Sequence, residues 1–106
     1  MTGRELRRHE RTLVPTGVEL RATTNGDPPK LEGMATVIGL GGMFLRTHAV
    51  PQPGSVMKLT LKCPFVSFQS ECAVRHVTPT GLGIEFINLT PEAEASLRKL
   101  LVKLKN

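Results

Sequence analysis

Two stretches of strict alternation dominate the middle of the chain: VMKLTLKC at 56–63 and VSFQSECAVRHV at 66–77. In the first, Met57, Leu59, Leu61 and Cys63 share one face, and Val56, Lys58, Thr60 and Lys62 share the other. In the second, Val66, Phe68, Cys72 and Val74 point one way, against Ser67, Gln69, Glu71 and Arg75. A period of two is that of a strand with one buried face, so this part of the chain is β-structure. Pro64 closes the first run, and TPTG at 78–81 turns the chain after the second.

The flanking segments read the same way. LVPTGVELRA at 13–22 is rich in β-branched and apolar residues, and Pro15 restricts it to an edge or an irregular strand. Residues 23–33, TTNGDPPKLEG, have loop composition, and Pro51, Pro53 and Gly54 mark another turn. MATVIG and MFLRT flank a glycine cluster, and GIEFINL supplies a further strand with Ile84 and Phe86 on one face. At Thr90 the period changes. Thr90 suits an N-cap, Pro91 the first helical position, and Glu92 and Glu94 the positive end of the helix dipole. Ala93, Leu97, Leu100, Leu101 and Leu104 then form one apolar stripe, which predicts a helix over about 90–105. The expected fold is all-β with a C-terminal helix. About six short strands at this spacing form a small antiparallel barrel, and the helix packs its leucine stripe on it.

The chain has 106 residues, the length of a single domain. Residues 1–11, MTGRELRRHER, are polar and read as a flexible arginine-rich arm; residues 12–106 are the barrel domain. The arm has no apolar core of a signal peptide, and no run approaches the ~18 residues of a membrane helix. The expected location is therefore a reducing cytoplasm. Cys63 and Cys72 lie in strand-like stretches without C-x-x-C spacing and read as buried thiols. A disulfide needs neighbouring strands to bring them together. His9, His48 and His76 have no metal-ligand spacing, so no metal or cofactor is expected.

The net charge of +5 sits mostly at the two ends, in Arg4, Arg7, Arg8 and Arg11 and in Arg98, Lys99, Lys103 and Lys105. An anionic partner fits this distribution, as does a solvated basic face. Four Phe and no Tyr or Trp provide little stacking surface for single-stranded nucleic acid, so no specific nucleic-acid partner is expected.

The glycine cluster VIGLGG at 37–42 raises the possibility of a phosphate loop. A dinucleotide-binding turn needs G-x-G-x-x-G between strand and helix, whereas Gly39, Gly41 and Gly42 have other spacing and lead into a strand. A P-loop needs G-x-x-x-x-G-K-[ST], and no Lys follows. There is no G-x-S-x-G, no nucleophile with a base at recognisable spacing, and no carboxylate pair in a cleft-like context, so an enzyme is not expected. From the residues alone, the glycines mark a bend or bulge that requires positive φ.

Taken together, RRHER, with Arg7 and Arg11 at R-x-x-x-R spacing, VIGLGGMFL about 25 residues later, and GLGIEFINLTPEAEASLRKLL resemble the PilZ family. That family has two signatures, R-x-x-x-R and [D/N]-x-S-x-x-G. The resemblance spans nearly the whole chain. It implies a six-stranded antiparallel β-barrel of PilZ type with a terminal helix, and binding of the bacterial second messenger cyclic di-GMP. It also assigns ligand-binding roles to Arg7 and Arg11, with Arg8 as an additional neighbour, and to Gly42 at the motif glycine. Gly39 stands at the motif serine and Val37 at the motif Asp or Asn. Arginine suits such a ligand because its planar fork bonds bidentately to guanine O6 and N7 or to phosphate oxygens. Val37 offers no acceptor to a guanine edge, and Gly39 offers only its backbone. Two functions follow from the resemblance: a receptor that binds cyclic di-GMP and relays it by arm ordering or partner contacts, or a degenerate adaptor that binds no nucleotide and acts through a protein partner. Monomer and dimer both remain open.

Overall fold

The two alternating runs form one long antiparallel hairpin. In the computed structural model, which describes residues 10–26 and 28–105, β5 (Val56–Cys63) and β6 (Val66–Val77) pair from Val56↔Ala73 to Cys63↔Val66. The expected inner face is found: Leu59, Leu61 and Cys72 are fully buried, with Phe68 and Val74 beside them. Ser70 is also inside, its hydroxyl donating to the Glu71 carbonyl at 2.9 Å. The alternation does not run through to the end of β6. A register shift between Val74 and His76 makes Arg75 an extra residue, and the bulge returns Val77 to the core side.

The first expected strand is two. Pro15 and Gly17, at φ +94°, break it into β1 (Arg11–Leu13) and β2 (Arg21–Thr24). A turn in which the Val18 N–H donates to the Pro15 carbonyl lies between them. Both strands pair along the same edge of β3 (Glu32–Gly39), β1 with Val37–Gly39 and β2 with Glu32–Met34. The other edge of β3 takes β4 (Gly42–Arg46), which also pairs with β7 (Gly81–Ile87). The ring β3–β2–β5–β6–β7–β4 thus closes on itself, a six-stranded antiparallel barrel with β1 as a seventh strand outside it.

The helix α1 (Pro91–Lys105) starts where its cap predicts. The Thr90 hydroxyl accepts the Ala93 N–H at 3.1 Å, and Arg98 pairs with Glu94 one turn before it. Ala93, Leu97, Leu100 and Leu104 are buried in the same cluster as the barrel interior, and Leu101 is half-buried at its margin. The helix lies mainly against β6 and touches β1.

Cys63 and Cys72 are both free. They sit at opposite ends of the β5–β6 ladder, six residues apart in register and therefore roughly 20 Å from each other, far beyond the roughly 7 Å limit between bridged Cα atoms. Burial pushes the Cys72 thiol up from its ordinary 9.0 to about 12; hydrogen bonds with Ser70 and the Leu59 backbone oppose this to a lesser extent. Below pH 9 the thiol is protonated whether the chain is folded or not. Between 9 and 12 only the unfolded chain ionises there, so rising pH removes stability across that window. Denaturation midpoints in the Cys72→Ala variant should fall less steeply between pH 9 and 10.5 than in the parent. Equal slopes would contradict the assignment.

Candidate binding face

The stretch VIGLGG forms the end of β3, a tight connection at Leu40–Gly41, and the start of β4. Ile38 and Met43 are cross-strand partners and both point into the core. Their neighbours in sequence therefore lie on the outer wall, since successive strand residues alternate sides. A bulge at Thr36, between Ala35↔Leu45 and Val37↔Phe44, shifts the phase and carries Val37 outward. The outer wall then has two rows. One runs Leu13–Val37–Phe44–Gly83–His76, and the other places Arg11 beside Gly39 and Glu85 beside Gly42.

The structure thus brings together three of the five expected ligand-binding residues: Arg11, Gly39 and Gly42. Arg7 and Arg8 lie outside the described residues. Arg11 is the first residue of β1, exposed and in direct register with Gly39. Glu10, just before it, accepts from Lys105 at 3.4 Å and ties this end of β1 to the last turn of the helix.

The glycines have a different cause from the one expected. Positive φ occurs at Gly17, Gly26 and Gly54 but at none of the three glycines of the cluster. What requires glycine is close backbone approach. A Cβ on Gly39 would run into the Glu10 carbonyl, and one on Gly42 into the Ile84 carbonyl. Neighbouring strands occupy the space a side chain would take, so these positions are set by packing as well as by any ligand.

Leu13, Phe44, His76 and Glu85 complete the face and were not identified from sequence. Phe44 had a signal, since it lies two residues after Gly42 and so shares its side of β4. The others join through register between distant strands. Leu13 is 74% exposed, and neither it, Val37 nor Phe44 belongs to the core. The Glu85 carboxylate is engaged by Arg75 Nε. This face is an open wall. Two clefts lie elsewhere: one of about 440 Å³ between β6 and the start of the helix, and one of about 280 Å³ between β1 and the helix end. Among the described residues no three His, Cys, Asp or Glu side chains meet to hold a metal ion, and no helix is long and apolar enough to cross a membrane.

Comparison with known proteins agrees with this architecture. The profile of the PilZ domain family matches residues 5–103. No curated protein matches the chain. Among solved structures, the chain is similar to YcgR from Escherichia coli in complex with c-di-GMP, with a TM-score of 0.77 and 21% identity over 93% of this chain and 46% of that one. The separate PilZ domain of YcgR with c-di-GMP matches with a TM-score of 0.72 and 17% identity, over 93% and 91% of the two chains. The Klebsiella pneumoniae MrkH–c-di-GMP complex matches with a TM-score of 0.78 and 14% identity, over 93% and 51%. The chain therefore spans about half the length of the YcgR complex and of MrkH. At these identities the likeness is one of fold.

Proposed function

The chain belongs to the PilZ domain family, and from that premise we propose that it is a cyclic di-GMP receptor domain whose ligand lies on the outer wall of β3 and β4. One observation carries the reading: β1 places Arg11, the second arginine of R-x-x-x-R, beside Gly39 of the glycine-rich strand. Both halves of the family signature then bear on one surface. In this reading Arg7, Arg8 and Arg11 hold the two phosphates, by the bidentate geometry a guanidinium provides. Gly39 and Gly42 let the Glu10 and Ile84 backbones close in beside them, which sets Arg11 against this wall. The domain performs no catalysis and needs no cofactor. It acts in the cytoplasm, and the arm relays binding by becoming ordered or by meeting a protein partner.

The adaptor reading has its own support. Val37 presents a methyl surface where the family pattern has Asp or Asn, and it pairs with Phe44 in an apolar row. On that reading the same wall contacts protein and no nucleotide.

Calorimetric titration of cyclic di-GMP into the full chain at physiological salt separates the two. The receptor reading expects saturable binding that Arg7→Ala/Arg11→Ala weakens by about 10²–10⁴-fold, as two charge-assisted contacts of about 1.5–3 kcal/mol each would be lost. An unchanged affinity in the double variant excludes the arginine arm. Absence of binding to a folded sample favours the adaptor.

A further inference from the structure

We infer that this wall recognises a cyclic dinucleotide by its phosphates and base faces, without reading the base edge, so that it accepts adenine nearly as well as guanine. The inference rests on the receptor reading and narrows it. It starts from what the described residues place around the apolar row. Leu13, Val37 and Phe44 lie side by side across three strands, and the row continues over Gly83, against which the His76 imidazole packs. Cations flank the row on both sides, Arg11 two residues before Leu13 and Arg46 two residues after Phe44. The nearby carboxylates are already engaged, Glu85 by Arg75 and Glu10 by Lys105.

Guanine and adenine present the same fused-ring face and differ at their edges. Guanine carries N1–H and N2–H₂ donors that need an acceptor; adenine lacks both. A site that supplies the acceptor rejects the wrong partner by about 10⁴–10⁵-fold, because its own polar group is otherwise left unpaired. At 37 this chain has an isopropyl group, which neither rewards guanine nor penalises adenine. An apolar and aromatic surface gains from either base, since every base has a π-face. The remaining specific element is the arginine fork, and the two phosphates that every cyclic dinucleotide carries draw it first.

The test titrates cyclic di-GMP and cyclic di-AMP separately into the full chain and into the Val37→Asn and Phe44→Ala variants. The parent is expected to bind the two within about fivefold of each other, less than the discrimination that one read base edge supplies. Phe44→Ala should weaken both by about tenfold, and Val37→Asn should strengthen cyclic di-GMP alone. A larger gap in the parent overturns the inference and leaves the receptor reading standing. Failure of both ligands to bind the folded parent removes the receptor reading and the inference with it. If Phe44→Ala leaves both affinities unchanged, the apolar row is not the platform and the inference falls.

Discussion

Gly39→Ser, the substitution that restores the family's hydroxyl position, is expected to weaken the fold and add no affinity. On a bare sequence comparison it looks like a repair. In the structure the Glu10 carbonyl occupies the space the new Cβ needs, and a backbone atom directly before a paired strand cannot swing aside as a long side chain can. Either β1 shifts out of register with Val37–Gly39, or the strain stays in place. Forced overpacking of this kind costs about 1–3 kcal/mol. A shift of β1 would also move Arg11 away from the wall, so binding suffers together with stability. Urea denaturation and a cyclic di-GMP titration of the same variant check both halves. A variant as stable as the parent that binds more tightly would show that β1 yields freely and that Gly39 is a lost contact. Val37→Asn makes the useful contrast, because Val37 lies on an open face and outside the core.

The second large effect is expected at Leu97. This residue is fully buried on the inner side of the helix, next to Leu100 one turn on, in the cluster that fills the barrel. Leu97→Ala should remove about 2–5 kcal/mol through lost transfer energy and the cavity left behind. Set against a total of about 5–15 kcal/mol for a domain of this kind, that is a large share. The denaturant midpoint should fall with the slope unchanged, since the surface exposed on unfolding stays nearly the same. A loss below about 1 kcal/mol would mean that the barrel interior closes over the gap, and that the helix is an accessory to a core complete without it.

These predictions separate what the sequence shows locally from what it hides. The β5–β6 ladder and the helix are legible because their signals are local: a period of two on Leu59, Leu61, Phe68 and Cys72, and a capped stripe of period 3.6 from Thr90. Pro15 announces an interruption, but not that the pieces on either side of it share one edge of β3. That is a tertiary fact with no local signature. The bulges at Thr36 and Arg75 are equally silent, since neither residue is a glycine or proline, yet each reverses which residues face outward beyond it. The candidate face suffers most from this. Arg11, Gly39 and Gly42 could be named from a motif, whereas Leu13, Phe44 and Glu85 reach the same wall only through register. The glycines themselves were legible as necessary but not for the right reason, because close approach of Glu10 and Ile84 depends on strands far away in sequence.

The position of β1 outside the closed ring has a further consequence. The other strands each have a partner on both sides, so none can leave without opening the barrel. β1 is held by β3, by the helix, and by the Glu10–Lys105 contact, and its departure costs three residues of pairing and the adjoining Val14–Thr36 bond while the ring stays shut. It is therefore the unit that opens first, in excursions that leave the rest protected from exchange with solvent. Because Arg11 travels with it, a ligand held by Arg11 binds only the docked form. On the proposed receptor reading, binding would slow the escape of this one strand, and an edge of the fold would become the reporter of occupancy.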